Sequence, residues 1–365
     1  MKIVLVGGVF SDERGTSARS RTTPETILMD GFLARGHSVE VFAHAAFSPD
    51  VDADIVHVHH LGVGALAMAS STNRIPFVFT SHNGQIHSGF ESSFLHRRAF
   101  TYVLSRADAA VALTDAESTF LRSYLGPHVP CAVIPNGVDG TRFYPDGARQ
   151  QDSGKVTILY VGQLIPVKGL EYLVDALALL RQNPAWRLRM VYHNSTLLEE
   201  LKARAARHGL LDRIEFLGSV ASADMGRIYR EADLLVLPSL GEALPSVITE
   251  AFLSGLPVVA TAITGLRDQV NEYGILCLPA DATSLARAIE EMMLRVPSFR
   301  ARSAEMRQYA LERFSIHAMV ENHLRLYASV VSCGERPMIK RAADIFVAAS
   351  TNTYRRARRW GLPPA

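Results

Sequence analysis

The feature that most constrains this chain is a repeated alternation of short apolar runs with helical patterns. Ile3–Val6, Val39–Phe42, Ile55–Val58, Phe77–Phe79, Ala109–Leu113 and Ala132–Ile134 are predicted strands, with helical stretches between most of them. The pattern restarts at Val156–Val161. It continues through predicted strands at Leu188–Tyr192, Ile214–Leu217, Leu234–Leu237, Val258–Ala260 and Ile275–Leu278. Strands this short and apolar, separated by helices, form parallel sheets covered on both faces. The expected fold class is therefore α/β, with two consecutive doubly wound parallel-sheet units.

A length of 365 residues suits two domains. Pro145 to Gly154 is polar and reads as an interdomain linker. The predicted division is residues 1–150, residues 151–330, and a helical, basic tail over 331–365. The tail carries Arg355-Arg356 and Arg358-Arg359-Trp360. Such a helix could touch a membrane surface; packing of its apolar side on the first domain is the favoured reading. A net charge of +2 gives no reason to expect a nucleic-acid partner. Cys131, Cys277 and Cys333 lie far apart without metal spacing, which suits a reducing cytoplasm. The opening Met1-Lys-Ile-Val-Leu-Val6 is too short an apolar run for a signal peptide and reads as a buried strand. No run of about 18 apolar residues occurs, so no membrane span is expected.

Within this frame, Glu242-Ala-Leu-Pro-Ser-Val-Ile-Thr-Glu250 follows the predicted strand Leu234–Leu237. Ser246 to Ser254 is predicted helical, with Pro245 in its first turn. The junction of strand, loop and helix start is where open α/β folds bind ligands. Glu250 lies on the Ser246 face, the one charge in an apolar helix. Two carboxylates around a helix N-terminus suit a ligand with a phosphate and several hydroxyls. Glu242 as a solvated loop residue and Glu250 as a structural ion pair account for the same carboxylates equally well at this point.

Val161-Gly-Gln-Leu-Ile-Pro-Val-Lys-Gly169 opens the second unit. A glycine-bearing loop there leads to Lys168 beside a helix start, a setting for a diphosphate. The Gly-x4-Gly-Lys-Ser/Thr spacing of nucleoside triphosphatases is missing. In the first unit, Thr22-Thr-Pro-Glu25 reads as a capping box that opens a helix to about Arg35. His82 falls just past the C-terminal end of a strand, where it can meet a ligand or satisfy a loop. His57-Val-His-His60 invites a metal reading, but no carboxylate or cysteine set in the sequence completes the shell. No metal is expected. Arg14, Arg19 and Arg21 crowd the loop after the first strand; they suit an anionic group on an acceptor or a solvated basic loop.

Together these residues resemble the retaining GT-B glycosyltransferases of family four, over Met1 to about Val331. The resemblance is carried by Arg35-Gly-His-Ser-Val39, Asp54-Ile-Val-His-Val-His59, Thr80-Ser-His82 and Ala107-Asp-Ala-Ala-Val-Ala-Leu-Thr114. Further along it is carried by Ile134-Pro-Asn-Gly-Val-Asp139 with Arg142-Phe143, Val161-Gly162 with Lys168-Gly169, the Glu242/Glu250 pair, and Pro257-Val-Val-Ala-Thr261. It implies two Rossmann-like domains facing a cleft, with the last helix crossing back to the first. The second domain would bind a nucleoside-diphosphate sugar, and the first mainly a glycan, lipid-linked or small-molecule acceptor. No cofactor is implied.

On that resemblance Lys168 holds the diphosphate, Glu242 touches the sugar hydroxyls and His82 reaches the transferred sugar, as the catalytic set. Gly162, Gln163, Leu244, Pro245, Ser246, Val247 and Glu250 complete the donor site. Glu250 binds the ribose, and the nucleobase lies near Gly218 and Val220. Arg14, Arg19 and Arg21 fall on the acceptor side. The expected role is assembly of cell-surface glycan, glycolipid or polysaccharide, in the cytoplasm or at the inner membrane face. Three departures stand out. Gln163 replaces the family's usual arginine. His193-Asn-Ser-Thr196 replaces a Gly-x-Gly-Pro loop, and the usual Gly-Gly of the first loop is replaced near Arg19-Ser20. The alternatives are a catalytically silent partner subunit and a nucleotide-sugar epimerase of related fold. A nicotinamide reductase is disfavoured, since Val6-Gly-Gly-Val-Phe10 lacks the Gly-x-Gly-x-x-Gly spacing.

Overall fold

A computed structural model of the chain describes residues 1–10, 23–73, 75–82, 93–126, 129–145 and 154–332. Arg14, Arg19, Arg21, the predicted 150/151 boundary and nearly all of the 331–365 tail lie outside these residues. Two compact units are present. The first takes Met1–Asn136 together with the chain from Met319 onward, and the second takes Gly137–Ala318.

Six parallel strands build the first unit: β1 (Lys2–Val6), β2 (Ser38–Phe42), β3 (Ile55–His59), β4 (Phe77–Thr80), β5 (Ala109–Ala112) and β6 (Cys131–Val133). Their order is β2-β1-β3-β4-β5-β6, so the direction of winding reverses between β1 and β3. β3, β4 and β5 are buried along their whole length, which is why they read as unbroken apolar runs. The helix Ile316–Ser332 supplies Met319 onward to this unit. Gly31 meets Val320 so closely that an added Cβ would collide with the valine side chain. Arg35 Nε donates to Glu321 Oε1 at 2.7 Å, and Tyr327 packs its ring 5.5 Å from that of Phe32.

The helix Pro24–Leu33 starts one residue later than the sequence reading places it. Its N-cap is Thr23: the Thr26 amide donates to Thr23 Oγ1, and the Thr23 amide donates to Thr26 Oγ1. Thr22 and Thr23 offer the same hydroxyl, but Pro24 at the first helical position fixes the start. Glu25 is thereby released from capping, and it is buried.

The second unit repeats the plan with β7 (Val156–Val161), β8 (Trp186–Val191), β9 (Ile214–Gly218), β10 (Leu234–Leu237), β11 (Val258–Thr261) and β12 (Gly274–Cys277). The order is β12-β11-β10-β7-β8-β9, all parallel, and the winding reverses between β7 and β10. Its core includes Trp186, whose indole N–H donates to the Leu180 carbonyl at 3.0 Å. Satisfying that one polar atom is what lets so large a ring be fully buried. Cys131 and Cys277 are free thiols. Among the described residues no helix is long and apolar enough to cross a membrane.

Candidate functional site

The reversal between β7 and β10 makes the second unit's strand ends diverge, and the loops that follow both strands lie at that point. After β7 the chain makes a short turn, Pro166–Lys168, and closes it with Gly169 at φ 61°. A Cβ at Gly169 would strike the carbonyl oxygen of Pro238. Glycine is thus required twice, by the left-handed backbone and by the close approach. The Leu240 amide donates to the Val167 carbonyl at 2.8 Å and ties the two loops together.

That contact brings Lys168 Nζ to 2.5 Å from Glu242 Oε1, with side chains only 19% and 10% exposed. Ser239 Oγ donates to the same carboxylate oxygen at 2.8 Å, and Thr261 Oγ1 in turn donates to the Ser239 carbonyl. The lysine and the first carboxylate, 74 residues apart in sequence, form one partly desolvated charged unit. Glu242 is therefore not a solvated loop residue but ion-paired, and its partner is the very cation that the resemblance assigns to the diphosphate.

The helix Ser246–Leu253 follows. Pro245 has φ −71° and ψ 127°, an extended conformation, so it is the N-cap rather than a first-turn residue. Proline has no side-chain acceptor, and no side chain caps this helix. The amides of Ser246 and Val247 sit in the first turn, ahead of any i→i−4 partner. The helix start is held from the other side by Gln269, whose Nε2 donates to the Pro245 carbonyl at 3.1 Å and to Thr249 Oγ1 at 3.0 Å.

One turn on, Glu250 accepts a hydrogen bond from the Tyr229 hydroxyl at 2.8 Å. Burial pushes its carboxyl above the usual carboxylate range, opposed by hydrogen bonds from Tyr229 and Ser246 and by the charge of Arg142. Burial also raises the Tyr229 hydroxyl well above its usual range. Arg142 itself donates through Nη2 to Ser222 Oγ at 2.6 Å. Ser222 lies in the loop after β9, next to Gly218 (φ 69°) and Val220. Gly162 follows β7, where a side chain would collide with the Tyr160 hydroxyl 2.6 Å away. That hydroxyl donates to the Gln163 carbonyl at 2.8 Å, and Gln163 Nε2 lies 3.2 Å from His193 Nε2. Leu244 is half-buried in the same loop as Glu242.

Tyr229 and His193 were not singled out as site residues from sequence. A tyrosine in the helix Met225–Arg230 carries no local signal that its hydroxyl will find Glu250. His193 was marked only as a departure from a family loop, and its pairing with Gln163 depends on β7 and β8 being neighbours.

In the first unit His57 is a core residue. Its Nδ1 lies 2.6 Å from the Tyr327 hydroxyl and its Nε2 2.7 Å from Thr80 Oγ1, so both nitrogens are matched. His82 has φ 51° and sits just past β4. Its Nε2 is 2.7 Å from His59 Nδ1, and burial lowers its pKa to about 4. Glu25 Oε1 is 3.3 Å from His60 Nε2. Burial opposes ionisation of Glu25, but the bond from His60 and the nearby imidazoles hold the carboxyl well below its usual range. The sequence reading found no carboxylate to accompany these histidines; the structure corrects it, because the helix start shifted by one residue turns Glu25 inward.

Two family models match the chain: "Glycosyl transferases group 1" over residues 147–313 and "Glycosyltransferase Family 4" over residues 46–142. The glycogen synthase of Mycobacterium tuberculosis H37Rv is 28% identical over 293 residues, spanning 78% of this chain and 70% of that protein. The D-inositol 3-phosphate glycosyltransferase of Salinispora tropica is 31% identical over 317 residues, 76% of this chain and 64% of that protein. Sucrose-phosphate synthase of Thermosynechococcus elongatus superposes with a TM-score of 0.72 at 20% identity, covering 91% of this chain and all (100%) of that one. HepE of Anabaena, solved in complex with UDP and glucose, gives 0.70 at 24% identity over 90% of this chain and 100% of that one. The strand–loop–helix geometry around Lys168, Glu242 and Glu250 and these matches agree: the chain belongs to the family 4 glycosyltransferases and is a glycosyltransferase of GT-B fold.

Proposed function

We propose that the second unit binds a nucleoside-diphosphate sugar without a metal ion and that the enzyme transfers the sugar, with retention, to a hydroxyl acceptor in glycan assembly. The observation that carries this is the placement of Lys168 at the β7/β10 reversal, in the same loop pair as the helix start at Ser246. Breaking an anomeric bond to a diphosphate builds negative charge on the leaving group. A fixed ammonium and first-turn amides stabilise such charge in a partly dry site. Glu242 then accepts hydrogen bonds from sugar hydroxyls, and Glu250 from a ribose diol. The UDP and UDP-glucose complexes of the Anabaena relative support a nucleoside diphosphate as the donor class. Glu242 is ion-paired to Lys168 rather than free, which supports leaving-group assistance over attack by a carboxylate nucleophile. Gly218, Val220 and Ser222, beside Arg142, form the nucleobase end.

The test is turnover by the full chain in chelator, with UDP-, GDP- and ADP-sugars and hydroxyl acceptors. Nucleotide release and the anomeric configuration of the product are followed. Turnover of one donor class with retained configuration is expected. An inverted product, or activity restored only by a divalent metal, would overturn the reading. Nucleotide release dependent on acceptor also excludes a silent subunit.

A further inference from the structure

We infer that His193 is a phosphate-binding residue of the donor site, supplying positive charge that Lys168 alone does not; the inference rests on the donor-site reading above. Lys168 is ion-paired to Glu242 at 2.5 Å, so the two side chains together carry no net charge. A diphosphate is multiply anionic, and an anion in a partly dry site needs matching cations or donors.

Backbone hydrogen bonds fasten the loop after β8 to the loop after β7. The Gly162 amide donates to the Val191 carbonyl at 3.1 Å, the Leu164 amide to the Asn194 carbonyl at 3.0 Å, and the Leu197 amide to the Leu164 carbonyl at 3.0 Å. His193 is thereby set against the loop that carries Lys168, with its Nε2 3.2 Å from Gln163 Nε2. Gln163 is itself fixed, because its carbonyl accepts from the Tyr160 hydroxyl at 2.8 Å. On the other side, the Tyr192 amide donates to the Gly218 carbonyl at 2.9 Å. The order β7-β8-β9 thus puts the His193 loop between the Lys168 loop and the nucleobase end. A diphosphate that joins a nucleoside to a sugar passes this position.

The pairing serves both charge states of the ring. Gln163 Nε2 can only donate, so the neutral ring accepts there at Nε2 and carries its proton on Nδ1. An adjoining phosphate favours the charged ring. Gln163 meets that state as well: turned over, its amide presents Oε1 to Nε2–H, and Nδ1–H is left for a phosphate oxygen. His193 is exposed, so its ring is open to a ligand. A glutamine side chain ends where an arginine's Nε would lie, and the His193 ring starts 3.2 Å from that point. Gln163 and His193 together therefore reproduce the reach and charge of one arginine. Gln163 and the His193-Asn-Ser-Thr196 loop, two departures from the family pattern, meet in this one contact.

The test titrates the full chain in chelator with UDP, GDP and ADP by calorimetry, for wild type, His193→Gln, and His193→Gln combined with Gln163→Arg. His193→Gln should weaken the nucleotide that wild type binds best by at least about tenfold, the worth of a charge-assisted hydrogen bond. Adding Gln163→Arg should recover most of that loss, which a merely structural role for His193 would not allow. Equal binding by wild type and His193→Gln, or a loss that Gln163→Arg does not relieve, would overturn the role of His193 and leave the donor-site reading standing. Binding of no nucleotide by wild type would overturn both.

Discussion

The two sheets share one plan and differ in what they place at the point where the winding reverses. In the first unit the β1/β3 reversal is lined by imidazoles around one carboxylate: Glu25, His59, His60 and His82. In the second, the β7/β10 reversal carries the Lys168–Glu242 ion pair and a helix start with no side-chain cap. The same topology therefore prepares two electrostatic environments. Burial keeps His59 and His82 uncharged at neutral pH. The second unit sets the Lys168–Glu242 pair in the same loop pair as a helix N-terminus, a setting that suits a diphosphate.

The largest effect that would break this contrast is at Lys168. Lys168→Ala should cost about 3 kcal/mol of transition-state stabilisation, by analogy with loss of one preorganised donor. That is roughly a hundredfold in kcat/KM. The loss should appear without a comparable drop in acceptor affinity. A loss below about tenfold would remove Lys168 from the role.

Acid should separate the units next. His82 and His323 have folded pKa values of about 4, and His57 and His59 are also lowered, in every case first by burial. A depressed histidine contributes stability that is full above the unfolded value of about 6.5 and is lost as pH falls toward 4. For His323, 3% exposed, the loss is about 3 kcal/mol. Glu250 acts oppositely, because its raised pKa means that protonation relieves a cost. Amide exchange, corrected for intrinsic rate, should show β1–β6 losing protection before β7–β12 between pH 6.5 and 4. Simultaneous loss would contradict the contrast.

The smallest effect is at Glu250. Burial penalises its ionised form, so Glu250→Gln should raise Tm at pH 7. It should also weaken donor binding. A lower Tm would mean that the bonds from Tyr229 and Ser246 outweigh the burial cost.

These contrasts were unevenly legible in the sequence. β7 and β10 fall where the apolar runs Val156–Val161 and Leu234–Leu237 place them, because strands buried on both faces leave an unbroken signal. The reversal points follow from strand order, which a single sequence does not encode. Lys168 and Glu242 could be nominated separately, but their 2.5 Å contact requires β7 beside β10 and Gly169 against Pro238. Glu25 was hidden by a local ambiguity: Thr22 and Thr23 both suit a cap, and only the structure shows which is used. Tyr229 and His193 became visible only through tertiary pairing with Glu250 and Gln163. Gln163, where the family usually has arginine, leaves Lys168 with no second cation from that loop and makes its contribution the quantity to measure.

The most direct measurement is calorimetric titration of the full chain with UDP, GDP and ADP in the presence of chelator. The account predicts that one of the three binds without metal and that Lys168→Ala weakens it. No binding of any nucleotide, or binding that appears only when a divalent metal is added, would contradict it.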